Sequence, residues 1–68
     1  MSEYTKSDLV KAIDEYIIGR NAERNRQIIA RRLIDGITYD KLAEEYDLSV
    51  RQVKNIVYKC SERIFSRI

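Results

Sequence analysis

Residues 38–58 read TYDKLAEEYDLSVRQVKNIVY, and this stretch decides how the rest of the chain is understood. It contains no Pro, Gly or His, so nothing in it obliges a helix to end. A polar break, Tyr46-Asp47-Leu48-Ser49, nevertheless interrupts it after about two turns. Signals for a helix start precede each half. Thr38 is placed to be an N-cap, with Ile37 and Leu42 as the hydrophobic staple around it. Ser49-x-x-Gln52 is a capping box, and Leu48 with Val53 repeats the staple. Asp47 is one of the few residue types that tolerates a left-handed backbone. The stretch therefore predicts one short helix that stops and a second that starts at once, with a tight corner between them.

Two glycines upstream, Gly19 and Gly36, follow apolar runs at helical spacing, where left-handed C-terminal caps fall. Between them the pattern predicts two more helices. The first begins at Thr5, with Thr5-x-x-Asp8 as a capping box and Tyr4 and Leu9 as its staple. Its apolar stripe is Leu9, Ala12, Ile13, Tyr16 and Ile17. The second follows Asn21 as N-cap, with Glu23 in the first turn, where the helix dipole favours an anion. Ile29, Ala30, Leu33 and Ile34 are its expected buried face, and Arg24, Arg26, Arg31 and Arg32 its outer faces. The fold class read from this pattern is all-α: one domain over residues 1–68, four helices, and a corner motif at 38–66.

The last helix carries the chemistry. With Arg51 set at zero and about 100° per residue, Val53, Ile56, Val57, Cys60 and Ile64 gather on the opposite side. Arg51, Asn55, Tyr58 and Glu62 lie near zero, flanked by Gln52, Lys54 and Lys59. One face is apolar; the other offers guanidinium, amide, ammonium and phenol groups. Arg pairs bidentately with guanine and Asn or Gln with adenine, and Lys contacts phosphate or guanine.

Composition limits the other possibilities. At 68 residues the chain makes one small domain. A single Cys excludes an internal disulfide, and one Cys with no His argues against a structural zinc site. No cofactor or metal is expected. No His, Gly-rich phosphate loop or paired carboxylates in an apolar setting point to catalysis, so an enzyme is not expected. The opening MSEYTKSD has no apolar run and no stretch approaches the ~20 residues of a membrane span, so a cytoplasmic location is expected.

Net charge is +2, unevenly placed. Residues 1–19 hold 2 Lys and 4 acids (−2), 20–32 hold 5 Arg and 1 acid (+4), 33–49 hold 1 Lys and 5 acids (−4), and 50–68 hold 5 basic residues and 1 acid (+4). Two basic blocks around an acidic one suit a polyanion on one side of the molecule, or mixed solvated faces.

Residues 38–66 resemble the helix-turn-helix family. Ala43 stands at the small position of the first helix, Asp47 at the turn four residues on, Leu48 next and Val53 five further, with Leu42 and Ile56 as supporting core. The family's usual turn residue is Gly, and Asp47 departs from it. More narrowly, GITYDKLAEEYDLSVRQVKNIVYKCSERI is similar to the fourth conserved region of bacterial sigma factors, the likeness running over roughly residues 24 to 65. The resemblance implies binding of double-stranded DNA through the second helix of the motif, in a small regulator such as phages and mobile elements carry. It also implies RNA polymerase as a further partner. The chain is too short to hold the part of a sigma factor that melts promoters.

On this reading Ser49, Val50, Arg51, Gln52, Lys54 and Asn55 face base edges, with Val50 suited to a thymine methyl. Thr38, Lys41, Tyr58 and Lys59 face phosphates. The rival reading is a protein-interaction module that docks on RNA polymerase or another regulator without reading DNA, using the acids of the third helix. Several roles stay open at this level. Gln52 can serve its cap alone, and Tyr58 can pack instead of touching a phosphate. Arg31 and Arg32 can pair with acids or clamp DNA. Phe65 and Ile68 can close over the first helix or form a homodimer seam. A homodimer would extend the few base pairs that a monomer of this size reads. Cys60, on the apolar side, reads as a small buried hydrophobe.

Overall fold

A computed structural model describes residues 5–66. Its elements are α1 (Lys6–Tyr16), α2 (Ala22–Leu33), α3 (Tyr39–Tyr46) and α4 (Val50–Phe65), with no strand among the described residues. The all-α expectation holds. No described helix is long and apolar enough to cross a membrane.

α1 starts as its capping box dictates. The Thr5 hydroxyl accepts from the Asp8 N–H, and the Asp8 carboxylate accepts from the Thr5 N–H, both at 3.1 Å. Tyr4 of the expected staple lies outside the described residues. Ala12, Ile13 and Ile17 are buried, while Leu9 and Tyr16 are half-buried. The end of α1 differs from expectation. Ile17 turns extended (φ −92°, ψ 99°), so the helix stops before Gly19, whose φ of +95° serves the connecting turn and not a helix cap. The extended backbone there sends successive side chains to opposite sides, Ile17 into the core and Ile18 to solvent.

α2 begins after Asn21, as expected, but by a different mechanism. Asn21 adopts a left-handed conformation (φ 61°, ψ 21°) and its side chain makes no cap hydrogen bond. The buried face is also displaced from the expected one. Ile28 and Ile29 are fully buried, whereas Ala30, Leu33 and Ile34 are half-buried. The cause is that α2 is packed between α1 and α4, which widens its apolar stripe toward Ile28.

Nor do the arginines of α2 occupy outer faces: Arg24, Arg26, Arg31 and Arg32 are all half-buried, each with a neighbour that draws it in. Arg26 donates to the Asp14 carbonyl at 3.0 Å, satisfying an acceptor in the last turn of α1. Arg24 donates to the Asn25 side chain. Arg31 pairs with Glu45 of α3. Arg32 donates to the Ile37 carbonyl at 3.1 Å and lies over the Tyr39 ring. After α2 the chain reverses through Gly36 (φ +70°), closed by the Ile37 N–H donating to the Arg31 carbonyl at 3.1 Å.

The corner between α3 and α4 follows the sequence closely. The Thr38 hydroxyl caps α3, accepting from the Lys41 N–H at 3.2 Å. At the other end Asp47 is left-handed (φ 56°, ψ 46°). The Leu48 N–H donates to the Ala43 carbonyl at 2.8 Å and the Asp47 N–H to the Glu44 carbonyl at 3.4 Å. These are the two bonds of a Schellman motif, formed here around Asp where Gly is usual. The Ser49 box then opens α4, with its hydroxyl accepting from the Gln52 N–H at 3.1 Å. Gln52 Oε1 accepts from the Ser49 N–H at 2.9 Å.

α4 packs against each of the other three helices. Val53, Val57, Cys60 and Ile64 supply its buried side and meet Ile13, Ile28, Ile29 and Leu42 in one core cluster. Ile28, Ile29, Leu42, Val53 and Ile64 have no exposed surface, and burying a side chain of this kind contributes about 1.5–3 kcal/mol. Tyr46 adds a polar tie, its hydroxyl donating to Gln27 Oε1 of α2 at 3.0 Å.

Candidate nucleic-acid interface

Because α4 is fixed through Val53, Val57, Cys60 and Ile64, its opposite side is held outward. Arg51, Gln52, Lys54, Asn55, Tyr58 and Lys59 are all exposed, Tyr58 by 76 %. Arg51, Asn55 and Tyr58 succeed one another at i, i+4 and i+7 and share one line along the helix. None of the three side chains makes a hydrogen bond or ion pair to another described residue. Their donors and acceptors are open to an external partner.

The other sequence-selected residues divide by what already occupies them. Ser49 and Gln52 are exposed but spend their side-chain oxygens on the α4 cap. The Ser49 hydroxyl proton and the Gln52 amide N–H groups remain available as donors. A bidentate pairing of Gln52 with adenine would draw on the oxygen that now holds the cap. Val50 is half-buried and packs against the core, which leaves only part of it to meet a ligand. Thr38 and Lys41 are exposed at the start of α3, where the Thr38 hydroxyl is taken by the Lys41 N–H.

Lys54 leans toward α3, its Nζ 5.7 Å from the centroid of the Tyr39 ring. Lys59 lies on the opposite flank of α4, in a shallow depression with Ile17, Ile18, Asn25, Cys60 and Arg63. Thr38, Lys41, Lys54 and the Arg51–Asn55–Tyr58 line thus share the α3–α4 side, and Lys59 marks the α1 side.

One residue of this neighbourhood, Tyr39, was not expected from the sequence as a contact residue. Tyr39 receives both Lys54 and, at 4.3 Å, Arg32. The available signal was an aromatic residue directly after an N-cap, whose partners on α2 and α4 come near only when the fold closes. Charge on the remaining faces is distributed by pairing. Glu45 neutralises Arg31, while Asp40 and Glu44 remain exposed on α3.

Cys60 is buried, and burial pushes its thiol above the ordinary value of 9.0, with the nearby Arg63 charge opposing the rise. A thiol in that state packs and does not react. No group of His, Cys, Asp and Glu among the described residues is arranged to hold a metal ion. Comparison of the chain with known protein families, curated proteins and solved structures gives no match.

Proposed function

We propose that this chain binds double-stranded DNA with sequence preference, using α3 and α4 as a helix-turn-helix whose second helix enters the major groove. On this reading it is a small transcriptional regulator similar to the fourth region of sigma factors. The observation that supports it is the division of α4: Val53, Val57, Cys60 and Ile64 buried, Arg51 and Asn55 exposed with no hydrogen-bond or ion-pair partner among the described residues. The rigid, Schellman-closed corner adds to this, because a reading helix must be presented at a fixed angle.

Arg51 is the proposed reader of guanine and Asn55 of adenine, each bidentate. Ser49, Gln52 and Lys54 contribute single donors, and Val50 offers a partial apolar contact. Thr38, Lys41, Tyr58 and Lys59 hold phosphates on either flank.

A mobility-shift measurement with a randomised duplex pool, repeated across salt, tests the reading. Selection should enrich a motif, and log K should fall with log salt by about 0.9 per phosphate neutralised. Affinity indifferent to both sequence and salt would reject it.

The exposed acids Asp40 and Glu44 on α3 favour a second reading, docking on a protein such as RNA polymerase. Capture of polymerase by the tagged chain after nuclease treatment supports that reading. Loss of every partner on nuclease treatment supports the first.

A further inference from the structure

Arg31 and Arg32 are neighbours in sequence with different fates. Arg31 is neutralised by Glu45. Arg32 has no carboxylate partner among the described residues; its Nη1 is pinned by the Ile37 carbonyl at 3.1 Å and its guanidinium lies 4.3 Å from the Tyr39 ring centroid. Lys54 approaches the same ring from α4, at 5.7 Å, and is likewise without a carboxylate. One aromatic ring therefore gathers two like charges from two helices. Their mutual repulsion favours an anion between or beside them. Directly alongside runs a groove of about 340 Å³ lined by Arg32, Leu33, Tyr39, Val57, Tyr58 and Ser61. It presents the hydroxyls of Tyr58 and Ser61 as further donors, and it borders the exposed Arg51–Asn55–Tyr58 line.

We infer that this groove seats one backbone phosphate of the bound duplex, with Arg32 from its lining and Lys54 from beside its Tyr39 edge as the cations, and Tyr39 as the positioning residue that holds them. The inference rests on the DNA-binding reading and deepens it. It moves Lys54 from reading bases to holding the backbone, and it adds Arg32, from outside the corner motif, to the contact set. The geometry suits the role. The carbonyl of Ile37 occupies one guanidinium nitrogen, leaving the others free for a phosphate. Lys54 is exposed, and the ring 5.7 Å from its ammonium favours a position beside the groove.

The test combines protein variants with duplexes carrying a single uncharged methylphosphonate, moved position by position along the selected site. At one position the neutral linkage should weaken wild-type binding by about tenfold, the size of a lost charge-assisted hydrogen bond. At that position it should weaken Arg32→Gln and Lys54→Gln less than the wild type, and the double variant no further. The double variant should also lower the salt slope by about 0.9, each single variant by less, and all should leave the sequence preference unchanged. Tyr39→Phe should retain wild-type affinity, and Tyr39→Leu should lose several-fold. Where Arg32→Gln fails to fold, Lys54→Gln, an exposed change, carries the same comparison.

Equal losses in wild type and variants at every position would overturn the phosphate seat while leaving duplex binding intact. A changed base preference in Lys54→Gln would overturn it as well, by returning Lys54 to the base readers. Failure of the wild-type chain to bind any duplex would remove the DNA reading itself, and the seat with it.

Discussion

Among the described residues the chain turns two corners with a left-handed residue that is not glycine, and it builds them differently. Between α1 and α2 the turn is made by Asn21 at φ 61°, helped by Gly19, and the Asn21 side chain makes no cap bond. Between α3 and α4 the turn is made by Asp47 at φ 56°, and hydrogen bonds on both sides specify it. Leu48 and Asp47 close the end of α3, and the reciprocal Ser49–Gln52 box opens α4. The first corner is permitted by its residues; the second is enforced by them. A corner that only reverses the chain needs no more than the first. A corner that must hold α4 at one angle to a partner needs the second.

The largest effects should ignore this difference. Leu42 of α3 and Ile28 of α2 are fully buried, one in the helix next to each corner, and Leu42→Ala or Ile28→Ala should each destabilise by about 2–5 kcal/mol. In a domain this small that is a large share of the total, and thermal unfolding followed by circular dichroism should show little folded protein at ambient temperature. A loss in only one of the two variants would mean that the halves do not share a core.

Smaller effects should separate the corners. Ser49→Ala removes a cap bond and should lower stability by about 1 kcal/mol, or roughly 4–8 °C in Tm. Asn21→Gly should leave Tm unchanged or raise it slightly, since the amide caps nothing and glycine adopts positive φ freely. Equal losses from the two changes would contradict the contrast.

The smallest effect concerns Cys60. Its thiol is raised by burial, so its folded value lies above the ordinary 9.0. The associated stability is complete below 9.0 and is lost as pH rises through the folded value, because the unfolded chain ionises first. Urea denaturation on either side of pH 9.0 should show this loss in the wild type and a smaller one in Cys60→Ala. An identical pH profile for the two would place the thiol in water.

The same contrast explains what the sequence made legible. At the second corner every device is local: Thr38, Asp47, Ser49 and Gln52 act on residues within a few positions of themselves, and each was readable in order. The apolar side of α4 was equally plain, since one period accounts for Val53, Val57, Cys60 and Ile64. At the first corner the outcome depends on packing. Ile17 stays buried although it leaves the helix early, and Ile28 is buried because α2 has neighbours on two sides. The α2 arginines went the same way. Arg24 bonds its chain neighbour Asn25, but the partners of the other three, Asp14, Glu45, Ile37 and Tyr39, lie on other helices or in loops that only the fold brings near.

The most direct measurement is a binding titration of wild type, Arg51→Ala and Asn55→Ala on a selected duplex and on a scrambled one. Both residues are exposed, so the variants should keep the helical spectrum of the parent. On the selected duplex each should lose about 1–3 kcal/mol of binding, and on the scrambled duplex almost none. Variants that bind both duplexes as the wild type does would contradict the claim that this side of α4 reads DNA.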